Sequence, residues 1–426
     1  MVRKLLKRAG VCLLSLSMVL AGNVGISGAS TSSRKGAAVE TKTGSIVIDG
    51  NDIKADNVNG LTYKGFGMLS ANSTSDLLMD YKSQNPEAYA KLMQYLFGGE
   101  YPIFTHVKLE MGNDRNNSTG SESATKRTKG EKANVLRNPG WQLAADAKKI
   151  NPNLKVSILT WRTPSWVKTD EDKYIWYKQS ILDAYEKYGY MVDYINPNTN
   201  EVWGGAGDVA YTKKFAKWIA AESTKTIADE KALALFKKIK LVVSDEANVV
   251  SSDVANKLKD DKAFMNAVDV VGYHYKTADD ENNAMKWLAE EVDKEVWNSE
   301  EQATFSNSAF RPSTTDKAPT VEGTGIGGSG SALEMGNTVI KSFVESRRGH
   351  VIYQPVIGSY YEGAQYSFKE LVSARDPWSG WMHYDAGLLI LAHISKFAVT
   401  GWENETNTAG IWRGVASASK ASAVQG

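Results

Sequence analysis

Two glutamates near the ends of predicted β-strands are the first candidates for catalytic residues. Asn200-Glu201 follows the predicted strand Met191–Ile195, and Glu300 comes at the end of another strand, Glu295–Asn298. Two carboxyl groups can cleave a glycosidic bond when one carries a proton for the leaving oxygen and the other stays ionised. Burial or a nearby negative charge gives the acid the raised pKa that it needs. An Asn-Glu pair alone is a weak signal, and its pairing with a second strand-end glutamate is a stronger one.

A repeating order of strand and helix patterns positions this pair. Short β-branched or aromatic segments occur at Tyr63–Leu69, Thr105–Met111, Lys155–Thr160, Met191–Ile195, Ile239–Ser244, Val268–Tyr275, Glu295–Asn298 and Val351–Tyr360. Amphipathic helical patterns between them include Asn85–Phe97, Trp141–Lys149, Tyr174–Tyr188, Val209–Ile227, Asn282–Glu291 and Tyr384–Phe397. This alternation is typical of βαβ units and a parallel sheet. Eight such units favour a (β/α)8 TIM barrel over a doubly wound open sheet.

Several predicted strands end in residues that could take part in chemistry. They are Glu110, Trp161, Asp245, Glu246 and His274. In a TIM barrel these positions converge on the C-terminal mouth, where active sites lie. Glu110 is interpreted either as lining the mouth or as one half of a structural salt bridge.

The residues at the ends of the fifth and sixth predicted strands have two interpretations each. Asp245 and Glu246 could tune the pKa of the acid, but solvated residues at the start of a loop are the preferred interpretation. His274 could hydrogen-bond to the region of Glu300, or it could be a core histidine whose hydrogen bonds are satisfied locally.

Composition and charge exclude several classes of protein. Fifty basic and forty-nine acidic residues give a net charge of +1, which argues against a nucleic-acid or membrane-surface binder. The first 30 residues combine a basic start with the apolar stretch Val11–Ala21, as a secretory signal peptide does. This stretch is too short for stable membrane insertion. Its removal takes away Cys12, the only cysteine, and we expect a secreted bacterial protein without disulfides.

No cofactor or metal site is predicted. The five histidines show no ligand-like spacing. Gly323–Gly328 fits the dinucleotide-binding glycine pattern but follows a polar stretch and not a strand, so we interpret it as a loop. A serine hydrolase is not supported because the chain lacks a Gly-x-Ser-x-Gly elbow.

Several motifs resemble those of one known family. They are Gly65-Phe66-Gly67, Lys108-Leu109-Glu110-Met111-Gly112, Trp161-Arg162-Thr163-Pro164-Ser165-Trp166, Asp193-Tyr194-Ile195 with Asn200-Glu201, Val270-Val271-Gly272-Tyr273-His274-Tyr275, Val296-Trp297-Asn298-Ser299-Glu300-Glu301, Ser359-Tyr360-Tyr361-Glu362 and Asp376-Pro377-Trp378-Ser379-Gly380. In order and spacing they are similar to the galactocerebrosidase family of retaining glycoside hydrolases. The resemblance covers about residues 60 to 402.

This resemblance implies roles for particular residues. Glu201 would be the general acid and then the general base, and Glu300 would be the nucleophile. Substrate-binding positions would be Asn200, Trp161, Ser118 and Tyr366. His274 and Glu110 are added to these candidates because of their positions at strand ends, independently of the resemblance. Asn200 would hold the 2-hydroxyl of the sugar. The chain departs from the family at Thr199, where the family has Trp, and at Glu301, where it has Asp.

The predicted organisation has four parts. Residues 1–30 are the signal peptide, 31–59 a leader with a short β segment, 60–400 the catalytic barrel, and 401–426 the start of a β-sandwich that is truncated. The expected activity is retaining hydrolysis of a terminal β-galactosidic bond in a β-galactoside, galactolipid or galactan. The alternatives are a barrel glycosidase for another sugar, a non-catalytic carbohydrate-binding barrel, or a chain that does not fold.

Overall fold

The computed structural model describes residues 57–71, 74–115, 121–246, 251–275, 277–302, 332–359 and 370–399. All of them belong to the compact unit Ile48–Gly426, and the second unit, Met1–Val47, lies outside the described residues. The predicted signal peptide, most of the leader and the start of the β-sandwich therefore stay predictions. No described helix is long and apolar enough to cross a membrane.

Eight parallel strands form a closed barrel, which confirms the predicted (β/α)8 fold. The strands are β1 (Gly65–Ser70), β2 (Phe104–Glu110), β3 (Lys155–Leu159), β4 (Tyr194–Ile195), β5 (Lys240–Glu246), β6 (Val270–His274), β7 (Glu295–Glu301) and β8 (Arg348–Tyr353). Each strand pairs with the next along the chain. The pairing of β1 with β8, from Gly65 opposite His350 to Met68 opposite Tyr353, closes the barrel.

Helices follow the strands and cover the outside of the barrel. The described helices are α1 (Thr74–Gln84), α2 (Pro86–Phe97), α3 (Pro139–Ile150), α4 (Asp170–Tyr188), α5 (Ala206–Ala221), α6 (Glu230–Phe236), α7 (Ser251–Asp260), α8 (Lys262–Ala267), α9 (Ala284–Glu290), α10 (Ala332–Ser346) and α11 (Ala386–Ile394). Local signals fix their ends. Thr169 caps α4 by accepting a hydrogen bond from the Asp172 amide, and Gly189 ends it in the left-handed conformation.

Several predicted helix boundaries are wrong, and two of them have clear local reasons. The helix predicted over Val209–Ile227 ends at Ala221, since Ser223 and Thr226 hydrogen-bond to each other and compete with helical bonding. The helix predicted from Tyr384 begins at Ala386, because Tyr384 belongs to a short strand.

The eighth predicted strand is in fact two strands in different sheets. β8 ends at Tyr353, and β9 (Ile357–Ser359) joins β10 (Val372–Ala374) and β11 (Met382–Tyr384) in a small second sheet. Pro355 lies at the break, and it has no N–H with which to continue the barrel's hydrogen bonding.

Side chains alternate between the two faces of each strand. The core therefore has one layer inside the barrel and a second layer between the strands and the helices. Large side chains that fill the barrel include Leu69, Leu159, Tyr194, Val242, Val270, Trp297 and Ile352. The other face of the strands packs against the helices. The filled interior leaves the C-terminal ends of the strands as the place where polar side chains meet.

Candidate active site

The C-terminal mouth of the barrel brings together the two glutamates and one histidine. Glu201, His274 and Glu300 each contribute an oxygen or nitrogen atom, and these three atoms lie within 4.8 Å of one another. Glu201 comes from the loop after β4, His274 ends β6, and Glu300 is near the end of β7. The structure thus brings together three of the residues that the sequence analysis named as candidates.

Irregular strand pairing turns the side chains of Asp245 and Glu300 towards the interior of the barrel. The register of β5 against β6 passes from Ser244 to Glu246 and leaves Asp245 as an extra residue. The register of β7 against β6 passes from Asn298 to Glu300 in the same way, with Ser299 as the extra residue. β-bulges commonly occur next to active sites because they redirect side chains. Without them, strict alternation would place Asp245 and Glu300 on the outer face.

Gly272 lies between the two bulged strands and has to be a glycine. A Cβ atom at this position would lie 2.6 Å from the Ser299 Oγ and 3.4 Å from the Asp245 Cα. The bulges on both sides thus use the space that a side chain would occupy.

Glu201 is held in a conformation that most residues avoid. Its φ is 62°, in the left-handed region, and its amide donates a hydrogen bond of 2.9 Å to the Asp245 carbonyl. The indole N–H of Trp161 donates to its Oε2 over 3.0 Å. Partial burial and the negative charge of Glu300 raise the pKa of Glu201 above its usual value. This is the direction that a general acid requires.

Glu300 is buried below the mouth and is 3% exposed. The Tyr275 hydroxyl donates a very short hydrogen bond to its Oε1. Its Oε2 lies 3.9 Å from the Nδ1 of His274. Neither Glu300 nor Glu201 forms an ion pair with a lysine or arginine among the described residues.

Left-handed backbone is concentrated around this site. Of the eight described non-glycine residues with positive φ, four are Glu201, Ser244, Asp245 and Tyr275. Such conformations cost on the order of 1–3 kcal/mol each and persist where the surrounding structure fixes them. Their clustering marks the mouth as a functional region.

Asp245 is the main correction to the sequence analysis. It was interpreted as a solvated loop residue, but it is only 1% exposed. Its carboxylate accepts hydrogen bonds from the Lys108 Nζ at 2.8 and 2.9 Å and from the His274 Nε2 at 2.9 Å. Burial by itself would raise its pKa, but the charge of Lys108 and the contacts with His274 outweigh burial and hold the pKa below its usual value. Glu246 is also buried, at 7% exposed.

Two of the other predicted site residues lie in the described part of the barrel, and the rest lie outside it. Asn200 is buried beside Glu201, and the Lys108 Nζ donates to its Oδ1 over 3.5 Å. Glu110 lies on the same face of β2 as Lys108, one step nearer the mouth, and is 1% exposed. Ser118, Tyr366 and the loop Gly323–Gly328 lie outside the described residues.

Two site residues were not predicted, although the sequence held signals for both. Tyr275 directly follows His274 at the end of its strand. Lys108 belongs to a polar series in β2, where His106, Lys108 and Glu110 alternate with apolar residues and so share one face. A polar series of this kind on a barrel strand indicates charged side chains inside the barrel.

The three converging side chains also have the spacing of metal ligands. Two carboxylates and an imidazole could hold a divalent ion such as zinc. A cation there would favour the ionised form of Glu201 and lower its pKa. That direction works against a proton donor, and it is opposite to the effect of Glu300.

The described fold resembles that of several solved structures. SrfJ from Salmonella typhimurium aligns with a TM-score of 0.60 and 13% identity, covering 80% of this chain and 76% of that one. The catalytic domain of GH30 xylanase C from Talaromyces cellulolyticus aligns with a TM-score of 0.53 and 14% identity, covering 80% and 77%. At these identities the likeness shows the shared fold.

Sequence comparison gives the family. The galactocerebrosidase of Danio rerio is 25% identical over 355 residues, which are 80% of this chain and 46% of that protein. The human galactocerebrosidase is 25% identical over 383 residues, or 86% and 48%. The chain spans about half the length of the curated relatives it matches. The model of Glycosyl hydrolase family 59 matches residues 63–396, and the chain belongs to that family.

Proposed function

We propose that this chain is a retaining β-glycosidase that hydrolyses terminal β-galactosidic bonds. The observation that carries the proposal is the approach of Glu201 and Glu300, whose oxygens lie within 4.8 Å of each other at the barrel mouth. Retaining enzymes hold their two carboxyl groups roughly 5–5.5 Å apart, whereas inverting enzymes need roughly 6.5–9.5 Å to admit a water molecule. The separation in this site favours retention.

The two glutamates are assigned to different roles because their surroundings differ. Glu201 reaches solvent at the mouth and has a raised pKa. It protonates the glycosidic oxygen as the bond to the anomeric carbon breaks. Glu300 attacks that carbon and forms a covalent glycosyl-enzyme. Glu201, now ionised, then removes a proton from water, which attacks the anomeric carbon and releases Glu300 with net retention.

Neighbouring side chains support each role. The Tyr275 hydroxyl binds the Oε1 of Glu300 and leaves its Oε2 on the side of His274, 3.9 Å from the ring. The Trp161 N–H fixes one oxygen of Glu201. Asn200 lies directly before the acid and is assigned to the 2-hydroxyl of the sugar, a contact that strengthens in the transition state.

The choice of galactose rests on the family and on the galactocerebrosidases that the chain matches. A galactolipid and a galactan both present a terminal β-galactoside, and both are substrates to test. A role in sphingolipid metabolism follows only if the natural substrate is a galactolipid.

The deciding experiment is hydrolysis of a panel of aryl β-glycosides with the anomeric form of the first product followed by ¹H NMR. We expect the β-galactoside to be cleaved fastest and β-galactose to appear before mutarotation. First formation of α-galactose would contradict retention, and faster cleavage of a glucoside or xyloside would contradict galactose specificity. Activity is expected to survive treatment with EDTA, because neither step uses a metal ion.

We also propose that the protein is exported and that residues 1–30 are removed. The basic start and the apolar stretch Val11–Ala21 support this proposal. Mass spectrometry of the protein from the culture medium of an expressing bacterium tests it. An intact N-terminus, or retention in the cytoplasm, would contradict it.

A further inference from the structure

A buried ion pair lies beneath the two glutamates and takes no direct part in the proposed reaction. The Nζ of Lys108, on β2, is 2.8 Å from the Oδ1 of Asp245, on β5, and the two side chains are 4% and 1% exposed. The two strands are not neighbours in the barrel, so the pair spans its interior. Buried ion pairs are weak evidence for stability, because apolar residues of similar volume often stabilise a fold equally well.

Lys108 contacts the residue that precedes each of the two glutamates. Lys108 donates to the carbonyl of Ser299, the residue before Glu300, over 3.1 Å. It also donates to the side chain of Asn200, the residue before Glu201, over 3.5 Å.

Asp245 makes the corresponding contacts from the other side. Its carbonyl accepts the Glu201 amide over 2.9 Å and so supports the left-handed conformation of Glu201. Its Oδ1 accepts from the Nε2 of His274, whose other ring nitrogen faces Glu300. One ion pair therefore contacts the segments that carry both glutamates.

We propose that Lys108 and Asp245 are positioning residues that hold Glu201 and Glu300 at the separation needed for double displacement. This inference rests on the proposed function of the two glutamates. A carboxylate is specifically required at position 245, because both of its oxygens accept hydrogen bonds: Lys108 donates to both, His274 to Oδ1 and Asn196 to Oδ2. An asparagine would turn an N–H₂ group towards one of these donors.

The main test is Asp245→Asn, measured with two aryl β-galactosides whose leaving groups differ in acidity. We expect kcat to fall about 100-fold with both substrates, since misplacing reacting groups by about 1 Å has an effect of this size. KM should change only a few-fold. Loss with both substrates indicates that both steps of the double displacement are affected. Lys108→Met should give a similar loss, and the double variant should lose much less than the product of the two.

The matched control is Glu295→Gln. It breaks another buried lysine–carboxylate pair of the same barrel, Lys64 with Glu295 at 2.6 Å, which lies at the opposite end of the strands from the two catalytic glutamates. Rates are expressed per folded molecule, from the circular dichroism melting curve. The inference is overturned if Asp245→Asn keeps a kcat within about threefold of this control.

Two further measurements apply if Asp245→Asn does not fold or if the wild-type protein is inactive. If Asp245→Asn does not fold, Lys108→Arg keeps the charge but not the contacts of the ammonium, and an unchanged kcat in this variant would overturn the inference. If the wild-type protein is inert on the whole panel, the proposed function has failed, and crystal structures of wild type and variant decide instead. A larger distance between the Glu201 and Glu300 oxygens in Asp245→Asn, or a changed φ at Glu201, supports positioning. Identical geometry overturns it.

Discussion

The two ends of the barrel shift the pKa of a glutamate in opposite directions. At the N-terminal end, Glu295 is 3% exposed and lies 2.6 Å from Lys64 and 3.3 Å from Lys240. Burial alone would raise its pKa, but the two lysines outweigh burial and lower it to about 2. At the C-terminal mouth, burial and the charge of Glu300 raise the pKa of Glu201. Glu201 keeps a raised pKa here because, among the described residues, no lysine or arginine forms an ion pair with it.

Open volume by itself does not identify the catalytic end of the barrel. A cavity of about 1010 Å³ opens at the N-terminal end and is lined by Lys64, Lys155, Lys240 and Glu295 among others. The backbone is more informative: four of the eight described left-handed non-glycine residues, and the bulges at Asp245 and Ser299, lie at the mouth. Strained backbone and carboxyl groups without a lysine or arginine partner among the described residues therefore mark the site, whereas a cavity alone does not.

The strongest test of this comparison removes the nucleophile. Glu300→Gln should lower kcat/KM for an aryl β-galactoside by at least about 10⁴-fold, because a positioned nucleophile acts as a unit with its partners. Glu295→Gln, the same change at the other end of the barrel, should retain nearly the wild-type rate per folded molecule. Equal losses in the two variants would remove the functional distinction between the ends.

Removal of the acid should have the next largest effect. Glu201→Gln should lower the rate by about 10²–10⁴-fold on substrates with poor leaving groups. Azide should partly restore turnover of an activated aryl galactoside, because it can replace the water that the missing base activates. No restoration of a folded variant would count against Glu201 as the acid/base.

The raised pKa of Glu201 also predicts the form of the pH profile. The acid has to be protonated when substrate binds, so kcat/KM of the wild type should fall as pH rises through the pKa of Glu201. In Glu201→Gln this alkaline limb should disappear. A limb at the same pH in the variant would assign the titration to another group.

The N-terminal end of the barrel, where Glu295 pairs with lysines, should contribute to stability and not to catalysis. Glu295→Gln leaves Lys64 without its closest counter-charge, and we expect it to reduce the free energy of unfolding by about 3–5 kcal/mol at pH 7. Glu295 has a lowered pKa in the folded state, so its contribution is present at neutral pH and is lost as pH falls towards 2. Urea unfolding at pH 7 and pH 3 should show a smaller difference between wild type and variant at pH 3. An equal difference at both pH values would contradict this linkage.

The smallest expected effect concerns Trp161. Trp161→Phe keeps a ring but removes the N–H that binds Glu201, and a hydrogen bond of this kind contributes about 1 kcal/mol. We expect kcat/KM to fall less than tenfold. Because this N–H favours the ionised form of Glu201, the alkaline limb should move to higher pH. A shift to lower pH would contradict this reading of the contact.

The sequence by itself determined the barrel and the catalytic candidates. Strand and helix patterns depend on local periodicity, and they placed all eight barrel strands. Asn200-Glu201 and Glu300 could be identified because strand ends of a parallel barrel converge on one face. The family resemblance added their assigned roles.

Only the tertiary structure decided how these residues are held. Lys108 and Asp245 meet across the barrel, 137 positions apart, and alternation gives the face of a side chain but not its partner. The bulges at Asp245 and Ser299 reverse the face that alternation predicts. The pKa of Glu201 likewise depends on burial and on the charge of Glu300. Long-range contacts of this kind form only when the barrel closes, so no local pattern records them.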